Sequence, residues 1–175
     1  MILITGHKGF IGSLLHKALP NAMGLDVREG YNLLTCKLPS GFINEPDIIY
    51  HLASSLDRSL DALVSSIGDI KITVNLLDIL KGNFQLFVNT GTCEEYGKGK
   101  APCSEEQLPM PISPYSSSKG SCTYYCKMLY ETQGLPIVTL RPFLTYGPRQ
   151  RPIMLIPSLI IDMLNNKDFK MTKGE

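Results

Sequence analysis

The chain lacks tryptophan, and no apolar run reaches the ~18 to 20 residues that a membrane-spanning helix needs. Neither sign of charge dominates: 17 Lys and Arg stand against 16 Asp and Glu, a formal net charge of +1. A surface built to hold nucleic acid or an anionic membrane needs a clustered excess of one sign, so both partner classes are excluded as expectations. Paired cysteine spacing is missing too. Cys36, Cys93, Cys103, Cys122 and Cys126 are odd in number and form no Cys-x-x-Cys motif, which argues against a disulfide framework and a metal site. They are read as reduced thiols, with Cys122 and Cys126 packed on one helical face as small apolar groups. No charged leader precedes the first apolar residues, and there is no internal repeat or low-complexity stretch. A soluble, cytoplasmic protein is the expectation.

What the chain does contain is a regular alternation. Continuous apolar runs at residues 1–5, 22–26, 47–53, 84–90 and 136–142 read as strands buried on both faces. Helical patterns fall between them at 10–19, 60–81 and 117–133, with another at 157–166. Strands separated by helices pair in parallel, so the fold class is α/β with a doubly wound parallel sheet. Residues 28–46, rich in Gly, Pro and Asn, read as loop with at most one short strand.

Chemistry enters at the first turn. In "MILITGHKGFIGSLL", Gly6, Gly9 and Gly12 follow a strand and open a helix. There a glycine turns the chain tightly, lets the backbone approach a pyrophosphate, and lets helix and strand pack closely, while the helix N-terminus supplies N–H groups. Lys8, Phe10 and Ile11 belong to the same cradle. Asp26 ends the second strand, about 20 residues on, where a carboxylate can accept both adenosine ribose hydroxyls. That pattern favours NAD, with NADP the alternative because Arg28 stands two residues later. Further along, "PYSSSKGS" sets Tyr115 and Lys119 four residues apart, on one face if helical.

The segments "TGHKGFIG", "DIIYHLAS", "NTGTCEEYG", "SPYSSSK" and "LRPFLTYGPR", with Asp26, occur in an order that resembles the NAD-dependent epimerase/dehydratase family of extended short-chain dehydrogenases/reductases. The resemblance spans nearly the whole chain. It implies a Rossmann fold, bound NAD, a nucleoside-diphosphate sugar as substrate and a homodimer. It further implies that Tyr115 moves a proton, with Lys119 lowering its pKa and Thr92 bonded to the same sugar oxygen. Glu94 is a further catalytic candidate. Leu52, Ala53 and Ser54 are implied to pass beside the cofactor, as is Pro142, followed by Phe143 near the substrate. His51 is read as a packed strand residue.

Three departures qualify the likeness. Relatives that eliminate water carry an Asp-Glu pair after the threonine, whereas this chain has Cys93 and Glu94, so epimerase or keto-sugar reductase is favoured over dehydratase. Asp69 and Leu144 stand where relatives often carry asparagine. The family's smaller substrate lobe is expected to follow a turn like "MTKGE"; residues 1–175 are therefore expected to be the dinucleotide-binding domain of a longer protein. The alternatives are a short-chain reductase of a non-sugar carbonyl compound and a non-catalytic, cofactor-binding regulatory protein.

Overall fold

In the computed structural model, which describes residues 1–39, 42, 46–54 and 63–169, five parallel strands alternate with helices. The order along the chain is β1 (Ile2–Thr5), α1 (Phe10–Ala18), β2 (Met23–Leu25), β3 (Ile48–His51), α2 (Leu63–Leu80), β4 (Leu86–Thr90), α3 (Pro114–Gln133), β5 (Ile137–Leu140) and α4 (Leu155–Leu164). The sheet order is β2-β1-β3-β4-β5, with every pairing parallel. The chain leaves β1 to one side and then returns to its other side, so the winding reverses between β1 and β3. In open parallel sheets ligands bind at that reversal, beyond the carboxyl ends of the strands. The chain divides into two compact units, Met1–Phe143 and Leu144–Glu175; the sheet and the first three helices belong to the former, α4 to the latter.

The register explains where the sheet turns from core to site. Met23, Leu3, Ile49, Phe87 and Ile137 lie side by side across the five strands. Leu3, Ile49 and Phe87 have no solvent exposure, and Leu76, Leu77 and Leu80 of α2 with Cys126 and Leu129 of α3 join them in one cluster. Removing such side chains from water stabilises the fold by about 1.5–3 kcal/mol each. Two residues further along the same face the row reads Leu25, Thr5, His51, Asn89 and Thr139. Apolar filling thus gives way to hydrogen-bonding groups at the strand ends.

The expected strands are present, trimmed by one or two residues at their ends. Asp26 leaves the ladder to cap a 3-10 turn at Val27–Glu29, and Pro136 and Pro142 have no N–H to give. The expected start of the second helix at residues 60–62 lies outside the described residues. Among the described residues of 28–46 there is no strand, only that turn and a single bridge between Asn32 and Lys37. One correction concerns α3, which begins at Pro114 rather than at 117. Ser113 accepts from the Ser116 N–H while the Ser116 hydroxyl accepts from the Ser113 N–H, and Pro114 suits the first helical position. On α3, Leu129 is a core residue, whereas Tyr124 and Met128 are exposed. No helix among the described residues is long and apolar enough to cross a membrane.

Candidate functional site

The glycine turn has the shape a dinucleotide requires, and each glycine earns its place differently. Gly6 sits at φ +70°, and a Cβ there would lie 2.9 Å from Ala53 Cα, because the turn presses against the chain leaving β3. At Gly12 a Cβ would lie 2.3 Å from the Gly6 carbonyl oxygen, so α1 can approach the turn only without a side chain. Gly9 is different. A Cβ there would meet the Gly6 oxygen at 3.1 Å and nothing else within 4 Å among the described residues, which leaves room on that flank for a ligand. Gly9 is also the N-cap of α1, with no side-chain cap and no acidic residue in the first turn. A phosphate therefore meets backbone N–H groups without a competing carboxylate from the helix. These residues fit a pyrophosphate.

The remaining cofactor candidates surround this turn. Leu52, Ala53 and Ser54 are half-buried and follow β3 directly. The Leu52 N–H donates to the Thr5 carbonyl at 3.2 Å and the Ala53 N–H to the Thr5 hydroxyl at 3.2 Å, which fixes this strand end against the glycine turn. Phe10 is half-buried and Ile11 exposed at the head of α1. Asp26 is buried and Lys8 exposed; the Lys8 N–H donates to Asp26 Oδ2 at 3.1 Å, and its ammonium pairs with Glu29 at 2.8 Å. Burial pushes the Asp26 carboxyl up, but the Arg28 guanidinium and the N–H groups of Arg28 and Lys8 outweigh it and hold the carboxyl below its usual range.

At the other end of the crevice stand the residues expected to carry the reaction. Tyr115 lies in the first turn of α3, with only 7% of its surface exposed. Lys119, one turn later and equally buried, donates from Nζ to the Thr90 carbonyl at 2.8 Å. Burial pulls its pKa below the usual lysine range, while the carboxylates of Asp69 and Glu95 pull the other way. Thr92 follows β4 and caps a 3-10 turn at Cys93–Glu95, its hydroxyl accepting from the Glu94 N–H at 3.3 Å. What that hydroxyl offers a ligand is its proton. Glu94 is half-buried beside it. Pro142 is half-buried after β5, and its carbonyl accepts from the Cys93 N–H at 3.2 Å, so the β4 and β5 ends are tied together at this point.

His51 plays the structural part expected of it. Its Nδ1 lies 2.8 Å from the Thr5 hydroxyl and its Nε2 3.0 Å from the Thr73 hydroxyl; burial, with a smaller contribution from Lys119, depresses its pKa to about 3. Asp69 is buried and accepts from Ser54 at 3.0 Å and Ser118 at 3.4 Å. Cys122 and Cys126 are buried thiols pushed up by burial, Cys126 to about 12, as apolar packing demands. Among the described residues no group of three or more metal-ligating side chains occurs.

No motif in the sequence points to the pair formed by Glu95 and Arg141. Glu95 is wholly buried; Oε1 accepts the Thr92 N–H at 2.8 Å and Oε2 accepts Arg141 Nε at 2.8 Å. Arg141 in turn lies over the Tyr96 ring at 5.0 Å. The available clue is Gly91, where a Cβ would fall 2.2 Å from Glu95 Oε1.

A family model, that of the NAD-dependent epimerase/dehydratase family, matches residues 2–175. The chain belongs to that family. It is 31% identical to an uncharacterized UDP-glucose epimerase of Bacillus subtilis, YtcB, over 95% of this chain and 63% of that protein. It is 30% identical to a GDP-6-deoxy-D-mannose reductase of Pseudomonas aeruginosa, over 90% of this chain and 56% of that one. Among solved structures, UDP-glucuronic acid 4-epimerase from Bacillus cereus in complex with NAD superposes with a TM-score of 0.83 at 32% identity, covering 95% of this chain and 63% of the other. RMD from Pseudomonas aeruginosa complexed with NADPH gives 0.78 at 27% identity, covering 97% and 64%. The chain thus spans under two thirds of these relatives' lengths. The sheet order, the glycine turn and the family match agree on a Rossmann-type α/β fold within a family of nucleotide-sugar epimerases, dehydratases and reductases.

Proposed function

We propose that the chain is the dinucleotide-binding domain of an enzyme that oxidises or reduces one carbon of a nucleoside-diphosphate sugar, as an epimerase or keto-sugar reductase. The observation that carries this reading is the buried Tyr115 and Lys119 pair on α3, with the lysine anchored to the carbonyl at the end of β4, two residues before Thr92. A module that merely held the cofactor has no need of all three.

The glycine turn, with Asp26 and the segment from Leu52 to Ser54, would hold NAD or NADP. That group, when bound, supplies the hydride acceptor or donor. The residues of the chain do the rest. Tyr115, as phenolate, takes the proton of the sugar hydroxyl being oxidised and returns it on reduction; an unperturbed phenol ionises only near pH 10. A cation one helical turn away would lower that value; burial draws the Lys119 pKa down, and Asp69 and Glu95 are among the groups that oppose it. Thr92 donates to the same sugar oxygen. Cys93 occupies the place of the acid that water elimination requires, and a thiol is a poor proton donor to a departing hydroxyl, which favours epimerase or reductase over dehydratase. Two copies pair through α2 and α3, where Ile67, Tyr124, Met128 and Tyr130 are all exposed.

The test is to incubate the protein with UDP-, GDP-, CDP- and dTDP-sugars and follow product identity and net NADH. Tyr115→Phe should lower kcat by about 10²- to 10⁴-fold while dinucleotide binding persists. Unchanged turnover in that variant sinks the catalytic reading. An epimerase regenerates its cofactor in place, whereas a reductase consumes one reduced dinucleotide per product.

A further inference from the structure

Glu95 does two things with one carboxylate, and the first is an ordinary capping device. As the last residue of the 3-10 turn it closes a capping box, its Oε1 accepting the Thr92 N–H at 2.8 Å. Such a cap works as well at the surface, yet this carboxylate has no solvent exposure. A buried charge is costly unless paired, and a buried ion pair is seldom more stabilising than apolar side chains of the same volume. Stability alone therefore does not account for it. What it touches does. Oε2 accepts Arg141 Nε at 2.8 Å from the chain just past β5, and Arg141 Nη1 donates to the Tyr96 hydroxyl at 3.3 Å. A Cβ on Gly91 would fall 2.2 Å from Oε1, and on α3 a Cβ on Gly120, next to Lys119, would stand 4.0 Å from Glu95 Cγ. The side chain is thus wedged among the ends of β4 and β5 and the helix that carries Tyr115 and Lys119.

We infer that Glu95 is a positioning residue for the proposed reaction: anchored by Arg141, it fixes Thr92 so that the threonine hydroxyl stays aimed at the substrate oxygen. The inference rests on the reading of Thr92 as the donor to that oxygen, and adds the residue that aims it. Gly91 and Cys93, on either side, donate their N–H groups to the Leu140 and Pro142 carbonyls at 2.8 and 3.2 Å. The Thr92 N–H points away from those partners, and Glu95 supplies its acceptor. The Thr92 hydroxyl accepts from the Glu94 N–H at 3.3 Å, so its proton is what it offers a ligand. Misplacing such a group by about 1 Å lowers turnover by about 10²-fold.

The experiment separates positioning from stability in the full chain, using Glu95→Gln and the double variant Glu95→Leu/Arg141→Met. The double variant replaces the buried pair by apolar side chains, which spares the fold an unpaired charge but leaves the Thr92 N–H without its acceptor. Glu95→Gln keeps that acceptor and leaves Arg141 unpaired, so it destabilises without freeing Thr92. Urea unfolding reads stability; turnover of UDP-, GDP-, CDP- and dTDP-sugars and the order of the Thr92 methyl group by NMR relaxation read position. The double variant should lose roughly 10- to 100-fold in kcat, with little change in KM and a more mobile Thr92 methyl. Glu95→Gln should lose less kcat and keep the methyl ordered. A double variant with wild-type kcat and methyl order overturns the inference. So does a Glu95→Gln variant in which Thr92 loosens along with the fold, and that variant decides by itself if the double one does not fold. If the wild type turns over none of these sugars, the proposed function falls, and the methyl signal alone decides whether Glu95 fixes Thr92.

Discussion

Two arginine–carboxylate pairs flank the crevice of this domain, chemically alike and physically opposite. At one side Asp26 accepts Arg28 Nε at 2.9 Å; at the other Glu95 accepts Arg141 Nε at 2.8 Å. Each carboxylate is almost wholly buried, and each also accepts backbone N–H groups. The difference lies in the cation. The Arg28 side chain is 60% exposed and sits two residues from its partner, whereas that of Arg141 is 15% exposed, 46 residues away, and packed over Tyr96. Water can readily replace Arg28, whereas Arg141 is largely shielded from it. The first pair is free to open into solvent; the second ties Thr92 to Arg141 just past the end of β5.

The strongest way to break that contrast is to remove Glu95. Glu95→Ala leaves the Arg141 guanidinium and the Thr92 N–H without their acceptor in the interior, and truncating one partner of a buried pair costs about 3–5 kcal/mol. Glu95→Gln keeps an acceptor and should cost less. Urea unfolding of the three proteins measures both; a Glu95→Ala loss below about 1 kcal/mol would show that this pair is no more rigid than the exposed one. Any of the variant that remains folded should show a reduced kcat with little change in KM, since Thr92 is displaced but the glycine turn is not.

Next in size is an effect of pH on the buried side alone. His51 titrates near 3 in the folded chain and near 6.5 when unfolded. A base whose pKa is depressed by folding stabilises fully above its unfolded value and loses that contribution as pH falls toward the folded one. From pH 7 to pH 5 the loss should be about 2 kcal/mol. His51→Gln, which cannot take a proton, should flatten this slope even if the variant is weaker at every pH. A slope unaltered by the substitution would place the sensitivity elsewhere.

The contrast also explains what could be read from the amino acids. Strands with two buried faces write themselves as continuous apolar runs, so β1 to β5 were legible, as was a glycine turn whose three positions each have a steric reason. That Tyr115 and Lys119 share one helix and are both buried on it was legible because helical spacing is local; their role was read from the resemblance alone. The start of α3 was misplaced because Pro114 suggests a break, although proline is at home in a first helical turn. Glu95 and Arg141 were not legible because 46 residues separate them and only the folded sheet brings them together.

The smallest effect should be the stability change on removing Arg28. An exposed guanidinium gains little from an ion pair once side-chain entropy and salt screening are counted, so Arg28→Ala should shift unfolding by at most about 1 kcal/mol near neutral pH. The sign with pH is fixed by Asp26, whose carboxyl is depressed in the fold. Such a group stabilises above its unfolded value, near 3.9, and gives that contribution up as pH falls further. Arg28→Ala should therefore differ most from the wild type at neutral pH and converge with it in acid, while Glu95→Ala remains far below both. A loss on Arg28→Ala as large as that on Glu95→Ala would mean that solvent cannot take the place of this guanidinium, and the pair at the end of β2 would then be as fixed as the one beneath Thr92.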